Sequence, residues 1–494
     1  MFFKRVIEKS QVMKIFAKLL GILVVIIATI VTIFLLKPEK KKNVLLITLD
    51  GLRRDHISYF GYNKKTTPNI DFLAENGFVF DNVIPSGTET PHSLTSLFTS
   101  IDYRYHHISQ QVLHHLPDEF YTLAESFFDQ GYITAGITAN PVLAESKNFD
   151  QGFMIYDDFS DDIDDLLSFK TLMTAEIVGK RSLAFLERYA TGERKFPFFL
   201  YIHFMEPHPP WFNEYTEEGV KQIDETFPLD RGCFYIPKDD IYQSTVTSGE
   251  KEKIISMYDG AVFSADREIG KIVDKLKAID ELENTIIAVS SDHGYELLDR
   301  YAVTHGMNPF DEVTKLFLVL FDENQRKADW MNSKDLEKIQ ARIFDIGPTL
   351  MGLVGLERHQ NWEGLDLFEE SESLPEYAFT QGVYVCAVRK KRFKLVYINL
   401  EPMNELKGTA YQFWTFGEYK MPAYIKEYGF MLFDLENDPK ETIDVKDKYP
   451  EIFQELQLEF EKYQKDVKRE FALGTTNAID EEVLKRLKSL GYVK

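Results

Sequence analysis

Cysteine is nearly absent: the 494 residues include two, Cys233 and Cys386. Two thiols can pair or stay free, but they cannot scaffold a chain of this length, so a disulfide-stapled small fold is excluded. No Asn-x-Ser/Thr acceptor occurs, and nothing points to N-glycosylation. Positive charge is in deficit, with 57 Lys and Arg against 79 Asp and Glu and a formal net charge of −22. That argues against nucleic acid as the partner, because phosphate-backbone binding leaves a basic footprint. It leaves room for a small anionic substrate, since a local cation overrides the global field. Internal repeats are also missing. What the chain does have is 44% hydrophobic and 14% aromatic residues. That is enough for a large core in two or more domains.

One long apolar run stands near the N-terminus. Residues 19–36 are eighteen uncharged, mostly aliphatic positions bracketed by Lys18 and Lys37. As a helix they span ~27 Å, close to the ~30 Å hydrocarbon core of a bilayer. A cleaved signal peptide is the competing reading. The run is long for one, and Leu36-Lys37-Pro38-Glu39 offers no small-residue cleavage site. We therefore expect a short segment 1–18 and a transmembrane anchor over 19–36. Basic residues flank both sides (Lys4, Arg5, Lys9, Lys14 and Lys18 against Lys37, Lys40, Lys41 and Lys42), so charge barely orients the span. The expected location is a single-pass membrane protein, in a prokaryotic envelope.

Beyond the anchor, apolar strand-like runs alternate with helical patterns. Asn43–Leu49, 132–138, 198–203, 285–290 and 316–321 read as strands. Asn69–Asn76 and 118–130 read as helices, each stopped by a glycine. Ile254, Tyr258, Val262, Ala265, Ile269, Ile272 and Leu276 form a helical apolar stripe, and 335–354 reads as a helix kinked at Gly347-Pro348. Such alternation predicts an α/β fold with a doubly wound, mostly parallel sheet. After about residue 360 the pattern changes to a hairpin turning at Arg389-Lys-Lys-Arg392, a strand at 431–435 and two closing helices at 451–468 and 481–490. We expect a catalytic domain over 43–360 and a smaller α+β subdomain over 361–494.

The strand ends carry the chemistry. Asp50 follows the first strand, and Asp292-His293-Gly294 follows the strand ending at Ser290. In an open parallel sheet, ligands bind where the carboxyl ends of strands converge. Two carboxylates and an imidazole suit Zn²⁺ or Mn²⁺ better than Mg²⁺ or Ca²⁺, so one divalent metal is expected. Thr90-Pro91 reads as a helix start, where a hydroxyl sits in a field that favours anionic oxygen. Read alone, Thr90 would be an ordinary N-cap. His208 and His305 are candidate proton donors, and Asn140 and Arg53 candidate substrate contacts, although Arg53 could equally pair with Asp55. His203 reads as a core-strand residue with a structural role. His106, His107, His114 and His115 read as a solvated loop, and the acidic run from Asp157 to Asp165 as a solvated face.

Asn43-Val-Leu-Leu-Ile-Thr-Leu-Asp-Gly-Leu-Arg-Arg-Asp-His56 with Thr67-Pro-Asn-Ile-Asp-Phe-Leu-Ala74 resembles the opening of the sulfatase family, within the alkaline phosphatase superfamily. Further matching stretches follow in order: 122–125, 131–132, 198–211, Asp266-Arg-Glu-Ile-Gly270, 284–287, Ser291-Asp-His-Gly294, 345–349, 433–439 and 487–492. The resemblance covers about residues 43–494. It implies a metal held by Asp50, Asp292, His293 and the Thr90 oxygen, with an active-site role for His208.

The departures matter as much. Sulfatases carry Cys or Ser, then x-Pro-Ser-Arg, with the first residue converted to formylglycine. Here the stretch is Thr90-Pro-His-Ser-Leu94, and threonine cannot give that aldehyde without losing a methyl group. Gly51 replaces the second Asp of the usual pair, and the lysine after Gly131-Tyr-Ile-Thr134 is missing. A threonine nucleophile resembles instead the superfamily's phospho-branches: nucleotide phosphodiesterases, lipoteichoic acid synthases and phosphoethanolamine transferases. We therefore expect hydrolysis or transfer at phosphorus on an anionic ester carried by a lipid or an envelope glycan. A sulfatase without formylglycine and an inactive membrane-tethered binding module are the alternatives.

Overall fold

The computed structural model describes residues 40–108, 115–159, 175–192, 196–209, 247–300, 303–324, 339–369, 373–399 and 428–467, apart from 307 and 383, together with a few isolated positions. Residues 42–494 form one compact unit and 1–41 another. Of the expected anchor, only Leu19, Gly21 and Ile22 are described, and they are helical. Among the described residues no helix is long and apolar enough to cross a membrane. The rest of 19–36 lies outside the described residues, as do His114, the aspartates from Asp161 to Asp165 and the expected helix 481–490.

The main sheet has eight strands: β1 (Asn43–Leu49), β2 (Phe78–Ile84), β3 (Ile133–Thr138), β4 (Ile155–Asp157), β5 (Phe198–Phe204), β6 (Thr285–Ser291), β7 (Leu316–Phe321) and β8 (Ala341–Arg342). Their spatial order is β8-β2-β7-β6-β1-β5-β3-β4. Pairings are parallel except those of β7, which runs antiparallel to both β6 and β2. The central strands β1, β5 and β6 are buried at every position, as strands covered on both faces must be.

Alternation along β1 divides two cores. Leu45, Ile47 and Leu49 face helices α1 (Pro68–Asn76), α4 (Ala175–Thr191) and α5 (Ser248–Ala278). Val44 and Leu46 face α2 (Thr90–Thr99), α3 (Leu123–Asp129) and α6 (Ile346–Leu353). The sheet is thus wound on both sides, as the sequence pattern predicts. The expected stripe of α5 is buried throughout, from Ile254 to Leu276. α3 begins at a capping box, Thr122 accepting from the Glu125 amide while the Glu125 carboxylate accepts from the Thr122 amide.

Two local expectations change. The helix expected from 335 starts only at Ile346, because Ala341 and Arg342 pair with β2 and residues 343–345 form a 3₁₀ turn. Pro348 then lies in the first turn of α6, where its missing N–H costs nothing, so it produces no kink. The hairpin near 390 also turns later than expected. A second sheet holds β9 (Ala378–Gln381), β10 (Val385–Lys390), β11 (Phe393–Asn399) and β12 (Tyr428–Asp434), all antiparallel, with α7 (Pro450–Val467) laid across one face. Only Lys391 and Arg392 make the turn. Arg389 is buried and grips both Asp311 carboxylate oxygens at 2.9 Å, and Lys394 adds a third contact at 2.7 Å.

That ion cluster connects the second sheet to the chemistry. Asp311 opens a helical turn, Asp311–Thr314, whose Val313 carbonyl accepts the Gly294 amide at 2.8 Å. A Cβ on Gly294 would lie 2.0 Å from the Glu312 carbonyl oxygen, so only glycine permits this approach. The Asp292-His293-Gly294 turn is therefore backed by β10 and β11 through Asp311.

Candidate active site

The carboxyl ends of the central strands converge on one buried pocket of polar groups. β1 delivers Asp50, β6 delivers Asp292 and His293, β3 leads to Asn140, β5 carries His203, and α2 begins at Thr90. Asp50, Asn140, His203, Asp292 and His293 are fully buried, and Thr90 nearly so. Thr90 is the first helical residue of α2, with Glu89 as its N-cap, so its hydroxyl stands in the positive field of the helix start.

Hydrogen-bond accounting separates occupied atoms from available ones. Asp292 Oδ1 accepts from the amides of Gly51, at 3.0 Å, and His293, at 2.8 Å, while Oδ2 has no hydrogen-bond partner. Asp50 Oδ2 accepts from Asn140 Nδ2 at 2.6 Å and lies 3.4 Å from Thr90 Oγ1, while Oδ1 has no partner. His293 Nδ1 faces the Gly294 carbonyl at 2.8 Å. A carbonyl can only accept, so the proton sits on Nδ1 and the Nε2 lone pair is open. That Nε2 is 3.6 Å from Asp50 Oδ1, 3.6 Å from Asp292 Oδ2 and 3.3 Å from Thr90 Oγ1. Ligands on ~2.1 Å bonds in a tetrahedron sit about 3.4 Å apart. An octahedron on ~2.4 Å bonds gives a similar edge, so spacing alone does not choose the ion.

Leaving two buried carboxylate oxygens without partners would be costly unless a cation takes them. The residues present therefore fit a divalent metal, which Asp50, Asp292, His293 and the Thr90 hydroxyl could hold. Asp50, His203 and Asp292 also have ligand atoms within 4.8 Å of one another.

The electrostatics agree. Burial pushes the Asp50 carboxyl up, but the imidazoles of His208, His203 and His293 more than offset this and hold it below the ordinary carboxylate range. Asp292 is displaced the other way, by burial and by the Asp50 charge. Burial works against a charged His293, yet the Asp292 and Asp50 carboxylates raise it.

His208 and His305 close the pocket. A cis Glu206–Pro207 bond precedes His208. Their Nε2 atoms are 3.2 Å apart, while His208 Nδ1 lies 2.6 Å from the Pro209 carbonyl and His305 Nδ1 3.1 Å from that of Thr88. With both Nδ1 atoms facing acceptors, a hydrogen bond between the Nε2 atoms needs one proton held between the rings. Burial, together with the neighbouring imidazoles, pushes His305 well below the usual histidine range. The His305 ring stacks on His293 at 4.4 Å between centroids.

Asn140 and Arg53 are placed differently from each other. Asn140 lies in the pocket, but the amide nitrogen is directed at Asp50 and its Oδ1 accepts from the Val142 amide at 3.0 Å. Arg53 makes the ion pair weighed for it, with Asp55 at 2.8 Å, and a second with Asp299. Its guanidinium also reaches the Tyr295 carbonyl, so it braces the loop after the Asp-His-Gly turn. Gly51 has φ +71°, a left-handed conformation in which the aspartate of the usual pair would be strained.

One histidine reading is corrected and another extended. His203 is a buried core-strand residue as expected, and it alternates with Phe199 and Tyr201 on the α2 side of β5, beside Asp50. Period-two alternation to the strand end was the signal that could have found it. His106 is buried, 2.9 Å from Ser96 Oγ, and accepts the Ile108 amide, so it is no solvated loop residue. A buried contact between Glu89 and His92 beside the nucleophile position, at 3.2 Å, was also not anticipated.

Comparison with known proteins identifies the family and agrees with the fold. A family model described as Sulfatase matches residues 42–356. The chain belongs to the sulfatase family. Members of this family within the alkaline phosphatase superfamily are ester hydrolases. A sulfatase of Formosa agariphila is 30% identical over 215 residues, 40% of this chain and 40% of that protein's length. An arylsulfatase of Clostridium perfringens is 22% identical over 400 residues, covering 67% of this chain and 79% of that one. A multifunctional alkaline phosphatase superfamily protein of Trinickia caryophylli is 23% identical over 400 residues, covering 66% and 76%. Among solved structures, a 2-O GAG sulfatase superposes with a TM-score of 0.63 at 17% identity, covering 90% of this chain and 96% of that one. The phosphonate monoester hydrolase of Agrobacterium radiobacter does so with 0.60 at 17%, covering 86% and 96%.

Proposed function

We propose that this sulfatase-family chain is a membrane-anchored, metal-dependent esterase acting at phosphorus, with Thr90 as the covalent nucleophile. One observation carries the reading. The residue at the family's nucleophile position is an unmodifiable threonine, and its hydroxyl lies 3.3–3.4 Å from His293 Nε2 and Asp50 Oδ2 at the start of α2. A divalent cation held by Asp50, Asp292 and His293 would favour the alkoxide form of that hydroxyl and offset charge on phosphoryl oxygens.

The side chains supply the rest. Thr90 Oγ1 loses its proton, for which Asp50 Oδ2 is a carboxylate acceptor at 3.4 Å, and bonds to phosphorus as the ester oxygen departs. A proton taken up on the His208–His305 pair, which burial makes a ready donor, goes to the departing oxygen. Water or an acceptor alcohol then attacks phospho-Thr90, releasing phosphate or the transfer product and restoring the hydroxyl.

Sulfate esters are the second reading. The relatives named above include sulfatases, and one structural neighbour was solved with its substrate D-glucosamine-2-N,6-O-disulfate. A paired screen decides between them: the full chain in detergent, with Zn²⁺, Mn²⁺, Mg²⁺ or Ca²⁺, against matched aryl phosphate and aryl sulfate esters. Phosphate ester turnover should dominate, highest with Zn²⁺ or Mn²⁺. Turnover of sulfate esters alone would refute the assignment to phosphorus, and no metal-dependent turnover of either would favour an inactive binding module.

The apolar length of residues 19–36 supports the anchor, and family habit supports an extracytoplasmic catalytic unit acting on a lipid- or glycan-borne ester. External protease applied to intact cells stripped of any outer barrier should digest the large unit. Complete protection would reverse the topology.

A further inference from the structure

His203 stands close enough to Asp50 and Asp292 to be taken for another metal ligand. Its hydrogen-bond partners argue otherwise. Register pairs Thr48 of β1 with His203 of β5, and the Thr48 hydroxyl lies 2.8 Å from His203 Nδ1. The same hydroxyl lies 2.8 Å from Tyr201 Oη. Tyr201 is fully buried, and burial keeps its phenol protonated. That phenolic proton has Thr48 Oγ1 as its acceptor, and a buried O–H without an acceptor would lose its hydration uncompensated. Tyr201 therefore donates to Thr48.

A hydroxyl carries one proton. The Thr48 proton, directed away from the tyrosine, is donated to His203 Nδ1. Nδ1 then has no proton of its own, and the single proton of the neutral ring sits on Nε2. That Nε2 points at Asp50 Oδ2, 3.5 Å away. An N–H aimed at a carboxylate cannot also offer a lone pair to a cation.

Building on the metal reading above, we infer that His203 is a positioning residue for Asp50, its tautomer set by the relay Tyr201 to Thr48 to His203, and not a ligand. Asn140 donates to Oδ2, and His203 Nε2, which makes no shorter hydrogen bond, faces the same oxygen at 3.5 Å, leaving the partnerless Oδ1 towards His293 and Asp292. The metal then has one imidazole, that of His293.

The test uses the full chain loaded with Zn²⁺. X-ray absorption fine structure should count one imidazole in the wild type, and the same number in His203→Gln. Isothermal titration should show Zn²⁺ affinity weakened about 10–100-fold in His203→Leu and in Thr48→Val, the scale for losing an outer-shell partner. His203→Gln should recover most of that loss, because an amide N–H can still donate to Asp50. Tyr201→Phe should weaken binding in the same direction, since the Thr48 proton is no longer directed. Two imidazoles in the wild type, falling to one in His203→Gln, would overturn the inference while leaving the metal site standing. Wild-type affinity in both His203→Leu and Thr48→Val would overturn it too. A wild-type chain that binds no Zn²⁺ would overturn both this inference and the metal reading. If Thr48→Val or His203→Leu fails to fold, the imidazole count in the wild type and in His203→Gln still decides.

Discussion

Thr90→Ala should leave the fold and most metal affinity in place and lower turnover by at least ~10³-fold, the scale expected when a covalent nucleophile is removed. The methyl group of alanine fits the space of the threonine side chain, and Thr90 is not the α2 N-cap residue, so the substitution removes no capping side chain. Asp50 and His293 lose only their long contacts with the Thr90 hydroxyl, and Asp50, Asp292 and His293 keep their shorter hydrogen bonds to Asn140 and the backbone. Thr90→Ser should retain partial activity, since it keeps the hydroxyl. Mass spectrometry of enzyme trapped with a slow phosphate ester should place an 80-dalton-scale adduct (roughly one phosphoryl group, as in phosphothreonine) on Thr90. Wild-type turnover in Thr90→Ala, or an adduct on another residue, would exclude the mechanism.

The second large effect is expected at Asp292. Asp292→Asn keeps the shape and can still accept the Gly51 and His293 amides through its remaining carbonyl oxygen. It replaces the partnerless Oδ2 with an amide nitrogen, which has no lone pair to give a cation. Metal affinity should therefore fall by more than the ~10–100-fold that an outer-shell change costs. The metal-free protein should behave in the opposite sense. Burial and the Asp50 charge already disfavour the ionised Asp292, so the neutral amide relieves a repulsion. Melting in chelator should occur at or above the wild-type temperature, while melting with added Zn²⁺ should fall below it. A general packing lesion would lower both, and wild-type affinity by titration calorimetry would remove Asp292 from the site.

Much of this candidate site could be read along the chain because its residues lie where apolar runs stop. Asp50 ends one such run and Asp292-His293 another, and Thr90-Pro91 is a helix start in any context. The threonine chemistry was legible for a different reason: an aldehyde precursor is a matter of side-chain composition, not of geometry. The doubly wound sheet followed from alternation, and the α5 stripe from its 3.6-residue period.

Other features depended on neighbours distant in sequence. Arg389 reads as a turn residue because four basic residues in a row look like a solvated hairpin tip. Only the partner Asp311, brought across from before β7, draws it inward and brings the second sheet behind the Asp-His-Gly turn. Arg53 could have faced a substrate until Asp299 came beside it. His203 is the clearest case. In sequence it is a polar residue near the end of an apolar strand. Its tautomer, and so its role, depends on Tyr201 and on Thr48, which lies 155 positions away and meets it through the β1–β5 register. The sequence by itself thus determined the fold class and the chemical identity of the candidate ligands and nucleophile, because these follow from local periodicity and side-chain type. The tertiary structure alone decided which oxygen of each carboxylate is available and which histidine nitrogen holds a proton, because a hydrogen bond's direction is set by the whole network of partners around it.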